Sequence, residues 1–414
     1  MRLGPALGRP AARGAAAALA GTLAGLALTS PATAATAAAP VGPSCLEVDT
    51  SATDQLQVKG DNTANLSLHV AEAQALVAKA GRQPGRGVKV VVVDSGTGAF
   101  RGAGTTDLPS GHGVAVAGII AGPNQPDPEI SVGIAPSADV LDVRFYDTPD
   151  GAQDGERVPT AAELTKALSA LADQRAGGTL GGRVVVVVPA QVPHSPQLEA
   201  QVDRLVGSGV LLVAASGDRP GSDGAFPDGY DGEPRKGEDV ADLVWPAAHP
   251  GVVAVGVSTP GSAGTVLRSS AIDLAAPGAD AVSRGRNGGW CVVAPASTAW
   301  AAAQVAGVAA LVWTMHPDED AARLRTRLEQ TASGNGGPSS PITGYGVVQP
   351  VEAIQRDVAE MGAERKQKVE PARPPRAEAD VLAGARQDAV WWGLGGGAAL
   401  VVLLLLRPLL SRRR

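Results

Sequence analysis

The chain has 414 residues, 44% hydrophobic and 18% charged, with 35 Lys and Arg against 41 Asp and Glu for a formal net charge of −6. That length and apolar content can bury one large core or two modest ones, and we expect one main domain with appendages. The acidic balance argues against nucleic acid as a partner, and the absence of a visible repeat of about 20 to 50 residues disfavours a solenoid or propeller.

Residues 1–34 carry Arg2, Arg9 and Arg13, then an apolar run over 15–28, then Ala32, Thr33 and Ala34. This order of positive, apolar and small residues reads as a secretory signal peptide, and the run is too short and Ala-rich for a membrane anchor. Residues 35–65 are small and polar without a clear period, an extended arm that holds Cys45. Positions 68–80 have helical spacing, ended by the Gly- and Pro-rich stretch 81–87. Val88 to Val93, broken only by Lys89, reads as a strand buried on both faces.

The pattern then alternates. Residues 111–122 have the small-residue composition of a tightly packed helix, and 140–145 form the next strand. A helix follows with Thr160 and Glu163 at capping-box spacing and Leu164, Leu168 and Leu171 along one face. The stretch 184–188 is a strand, 196–206 a helix with Pro196 at its first position, and 210–215 another strand. The loop up to residue 242 contains Asp223, Asp228, Asp231, Glu233 and Asp239. These acids lack regular ligand spacing, so we read a solvated loop rather than a calcium site, and expect no metal or cofactor elsewhere.

Strands resume at 252–257 and 271–275, and the stretch 294–315 follows as the central helix. From Ala301 to Trp313 it is Ala, Val and Leu apart from Gln304, Gly307 and the closing tryptophan, a helix buried on all sides. Ser297 and Thr298 at its entrance are good N-caps; a hydroxyl there also sits where a helix N-terminus can support an oxyanion, so a catalytic role stays open. Beyond it lie an amphipathic helix over 319–331 and a charged, Pro-containing tether over 356–388.

Residues 389–406 are uncharged, opened by Trp391 and Trp392 and followed by Arg407 and Arg412 to Arg414. We read them as one transmembrane helix with a cytoplasmic tail over 407–414, which leaves everything from 35 to 388 outside the cell membrane. In an exported chain the two cysteines, Cys45 and Cys291, are expected to pair. Strands alternating with helices predict an α/β fold with a parallel sheet covered by helices on both faces.

In such a sheet, functional groups gather at the carboxyl ends of strands, where Asp94 lies directly after Val93. His112, between Gly111 and Gly113, is hard to explain as core packing and is expected to be left accessible by its glycines. The pair reads as a base and its orienting carboxylate. Asp-Ser-Gly at Asp94, Gly-His-Gly at His112, GIAP at 133–136, AASG at 214–217, AAPG at 275–278 and VAGVAALV at 305–312 resemble, in order, the motifs of subtilisin-like serine proteases. The resemblance covers roughly residues 66–355. With a signal peptide, a cysteine-bearing arm and one C-terminal span, the chain resembles the mycosins, the membrane-anchored subtilases that accompany type VII secretion systems.

The resemblance implies the subtilisin-like three-layer fold and a mechanism in which a serine attacks a peptide carbonyl, a histidine takes its proton, an aspartate fixes the histidine tautomer and an asparagine amide completes the oxyanion hole. Asp94 and His112 match two of these roles. Aligned without a gap, Ala299 stands at the nucleophile position, and only a two-residue shift would bring in Ser297, at the cost of about 200° of helical rotation. Asp218 stands at the asparagine's position and puts negative charge where negative charge must develop. Val114 replaces a usual threonine, and the short spacing from Asp94 to His112 puts their contact in question. The cleft strand contains Pro189, which cannot donate to an added peptide strand.

In mycosins the arm cysteine is matched near the histidine, so a Cys45–Cys291 pair implies a different path for the arm. The expectation is an inactive, membrane-anchored subtilase with a structural or binding role at a type VII secretion system, with secretion components or exported peptides as partners. The alternative is an active endopeptidase using Ser297.

Overall fold

A computed structural model describes residues 37–48, 56–98, 100, 108–149, 155–220, 226–334, 339–358 and 383–410. The expected signal peptide, most of the tether and the end of the cytoplasmic tail lie outside these residues, as does Asp223. The chain forms two units, 1–356 and 357–414.

The first unit is built on strands β1 (Val88–Asp94), β2 (Gln125–Pro126), β3 (Glu129–Ile130), β4 (Asp139–Arg144), β5 (Arg183–Val188), β6 (Leu211–Ala215), β7 (Val253–Val257), β8 (Leu274–Ala276), β9 (Val282–Arg284) and β10 (Trp290–Val292). Its helices are α1 (Thr63–Ser67), α2 (Val70–Lys79), α3 (His112–Ala121), α4 (Ala161–Ala176), α5 (Pro196–Gly207), α6 (Thr298–Met315), α7 (Ala321–Thr331) and α8 (Pro350–Gln355). Six strands form one parallel sheet in the order β4-β1-β5-β6-β7-β8.

The valine run explains why the sheet is the middle layer of three. Successive side chains of a strand point to opposite faces. Val90 and Val92 accordingly join the core that holds α2, α3 and α6, while Val91 and Val93 join the core beneath α4 and α5. A strand that must be apolar on both faces reads as an unbroken run.

Cap chemistry sets the helix boundaries. Thr160 accepts from Glu163 N at α4, as its capping-box spacing predicts, and at α5 Ser195, just before the expected Pro196, accepts from Leu198 N. The helix expected over 68–80 is split: His69 takes a left-handed backbone, φ 53°, between α1 and α2. The arm is also more structured than expected, with α1 starting at Thr63 and Val41 paired to Lys59. Cys45 and Cys291 form a disulfide that fastens the arm to β10.

The acidic loop is solvated at Asp228, Asp231, Glu233 and Asp239, as expected. It is anchored by a buried ion pair between Arg219 and Glu238, and Arg219 also donates to the carbonyls of Tyr230 and Gly232. Phe226 and Tyr230 pack on Val240, Val244 and Leu267.

The second unit contains α9 (Ala383–Leu410), within which Gln387–Arg407 is long and apolar enough to cross a membrane. The helix begins before residue 389, so the last residues of the expected tether are helical.

Candidate active site

The strand order reverses around β1: the chain goes from β1 to β4 on one side and then to β5 on the other. Crevices form at the carboxyl ends of strands at such a reversal, and Asp94 ends β1 there. Its carboxylate is fully buried and accepts from Ser95 N at 2.6 Å, Ser95 Oγ at 3.0 Å and the Tyr146 hydroxyl at 3.1 Å. His112 Nδ1 lies 2.8 Å from Asp94 Oδ2, so the short spacing between them does not part the pair.

The glycines beside His112 act by allowing close approach. A Cβ on Gly113 would stand 2.5 Å from the Gly96 carbonyl oxygen and 3.1 Å from Asp94 Oδ1, and one on Gly111 would stand 3.0 Å from the Cys45 carbonyl oxygen. The expectation that they leave the histidine accessible is therefore corrected: its side chain is 14% exposed, and the Trp300 ring packs on it with centroids 4.5 Å apart. The arm, although bonded to Cys291, still passes beside the start of α3.

Burial works against a charged imidazole at His112, but the Asp94 charge and hydrogen bond, with the Asp218 charge behind them, outweigh it and hold the pKa above 6.5. Among the described residues no hydroxyl or thiol makes a hydrogen bond to His112 Nε2, the nitrogen that Asp94 leaves free.

The entrance of α6 belongs to a second carboxylate. Asp218 follows β6, and its Oδ1 accepts from Thr298 N at 2.8 Å and Thr298 Oγ1 at 2.9 Å, while Oδ2 accepts from Ser297 Oγ at 2.5 Å. Ser297 is the N-cap, and its Oγ also accepts from Ala299 N at 3.0 Å. The Thr298 hydroxyl accepts in turn from Gly217 N. Ala299 is buried within the first turn of the helix. Burial raises the Asp218 pKa, against the pull of its hydrogen bonds from Ser297 and Thr298.

Three participants were not legible as site residues. Tyr146 lies just past β4 and Gln191 just past β5, so the strand-end rule that flagged Asp94 would have reached both. Burial and the Asp94 charge hold the Tyr146 pKa well above its usual value, so its hydroxyl acts as a neutral donor. The Gln191 side chain bridges two strand ends: Nε2 donates to the carbonyls of Asp218 and Phe226, and Oε1 accepts from Asp218 N at 2.6 Å. Trp300 carries no local signal.

A buried Asp in contact with a partly exposed His at the switch point of a parallel sheet, facing the N-terminus of a buried helix, is the arrangement of a serine protease of subtilisin architecture. Residues 85–346 match the subtilase family, peptidase S8, and the chain belongs to that family. Within the family its likeness runs to the mycosins: it is 30% identical to mycosin-1 of Mycobacterium tuberculosis over 344 residues, covering 71% of this chain and 74% of that protein. Subtilisin E of Bacillus subtilis is also 30% identical, over 66% of each chain. Among solved structures, the MycP3 protease from the type VII (ESX-3) secretion system superposes with a TM-score of 0.55 at 26% identity, covering 77% of this chain and 93% of that one.

Proposed function

We propose that the chain is an exported, membrane-anchored subtilase without protease activity, serving a structural or binding role at a type VII secretion system. The observation that carries this reading is the Asp218 carboxylate at the entrance of α6. Its two oxygens accept from Ser297 Oγ, Thr298 N and Thr298 Oγ1, so a fixed anion holds the helix end at which an oxyanion would have to develop. Ser297 donates to that anion rather than to His112, and Ala299 offers only a methyl group.

A further feature supports the reading. The segment after β5 has its backbone partners taken, because Val192 and Trp245 exchange both hydrogen bonds, and Gln191 laces the adjoining strand ends together. The membrane assignment rests on α9 and the expected signal peptide, and the secretion-system role on the mycosin relatives.

The test is cleavage of an unstructured protein substrate by the purified full chain in detergent, with no turnover expected above a blank. A second reading, an active endopeptidase using Ser297, draws on the intact Asp94–His112 contact. It requires turnover that Ser297→Ala and His112→Ala both abolish.

A further inference from the structure

The opposite end of α6 carries an arrangement that the reading above does not use. Its last carbonyls face the amino ends of β1 and β5, where Arg82, Arg86 and Arg183 line a cavity of about 370 Å³ together with Gly81, Gln83 and Thr314. Among the described residues no acidic side chain lines this cavity. Two of the arginines are held by the helix: Arg82 Nη1 donates to the Thr314 carbonyl and Arg183 Nη1 to the Trp313 carbonyl. Cations at a helix C-terminus complement its dipole. Each bond uses one of a guanidinium's five N–H groups, however, and the remaining donors are not absorbed by these carbonyls.

Among the described residues the Arg86 side chain is attached only through Nε, to the Gln83 side-chain oxygen. Among the described residues none of the three arginines forms an ion pair, although the chain is acidic overall and eight other arginines do. Asp318 is the acid whose charge is felt at Arg183, and it is exposed and out of contact. The Arg183 pKa is lowered by burial and then by the neighbouring Arg82 charge, a repulsion that a bound anion would relieve. Gly87 makes room for the cluster, since a Cβ there would stand 2.7 Å from Arg183 Nη2.

We infer that the cavity lined by Arg82, Arg86 and Arg183 is a binding site for a phosphate group. Planar guanidinium groups converging on one opening match the tetrahedral oxyanion by paired N–H donors. Such a group can come from free phosphate or from a phospholipid headgroup, and the two share the same contacts. The site stands apart from Asp94 and His112, at the other end of β1, and does not depend on whether the protein is a protease.

The test uses the full chain in a non-ionic detergent. Calorimetric titrations with inorganic phosphate, with short-chain phosphatidylglycerol and with short-chain phosphatidylcholine are compared with those of Arg86→Gln and Arg183→Gln. Saturable binding is expected that weakens about tenfold or more in each variant, the loss of one charge-assisted contact. Binding of inorganic phosphate as tightly as of the phosphatidylglycerol assigns the free ion, and preference for the phosphatidylglycerol assigns a lipid. Arg86 supports no backbone carbonyl, so Arg86→Gln is expected to leave the melting temperature unchanged and separates lost binding from lost folding. No saturable binding of any of the three probes, or binding that neither substitution weakens, overturns the inference.

Discussion

The two ends of α6 hold opposite charges in opposite conditions. At the amino end Asp218 places a carboxylate against the positive pole of the helix, and both of its oxygens are engaged by Ser297 and Thr298. At the carboxyl end Arg82 and Arg183 place cations against the negative pole, each giving one N–H to a carbonyl. Both arrangements complement the macrodipole. They differ in what is left over: a carboxylate with two oxygens is nearly saturated by three donors, whereas a guanidinium with five donors is not saturated by one acceptor. The same helix therefore has one end closed by its own cap and one end with binding capacity to spare.

The largest effect is expected at the closed end. Asp218→Ala removes the acceptor for three donors and should lower stability by about 2 to 3 kcal/mol in chemical denaturation. Asp218→Asn keeps one acceptor oxygen and should cost roughly half as much; equal losses in the two variants would mean that capping is not what Asp218 does. At the open end, Arg183→Met keeps the aliphatic stem and loses the bond to the Trp313 carbonyl, with an expected cost of about 1 kcal/mol. A loss as large as that of Asp218→Ala would erase the contrast between the ends.

A smaller effect concerns His112, which faces Asp94, Asp218 and Tyr146. Its folded pKa lies above the unfolded value of 6.5, so its charge contributes stability that is full below that pH and lost as pH rises through the folded pKa. The stability difference between the wild-type chain and His112→Gln should therefore shrink from about pH 5.5 to pH 9. A difference that grows with pH would mean that the imidazole is held neutral. The smallest change is expected from Tyr146→Phe, which takes one donor from Asp94 and leaves more of its charge to His112. The His112 titration followed by NMR should move slightly upward, and a downward move would contradict the assigned direction of the Tyr146 bond.

The contrast also marks what a sequence can and cannot tell. The valine strands and the apolar body of α6 were legible because burial on all sides leaves no choice of residue type, and the Thr160 cap and the Pro196 start because such signals act within one turn. Asp94 and His112 were legible as neighbours of a strand end and a helix start, with their motifs in family order. The polar closure of α6 was not, because its partners meet across long stretches of chain: Ser297 lies 79 residues from Asp218, and Arg183 lies 130 from Trp313. The glycines around His112 were misread for a related reason. A residue without a side chain signals either exposure or close approach, and only the positions of Gly96 and Cys45 decide between them.

The most direct measurement is labelling of the purified full chain by a fluorophosphonate, which reacts with a serine hydroxyl activated by a neighbouring base. With Ser297 donating to Asp218 and Ala299 in the first turn, no labelling is expected from about pH 6 to pH 9. Stoichiometric labelling at Ser297, lost in His112→Ala, would contradict the account.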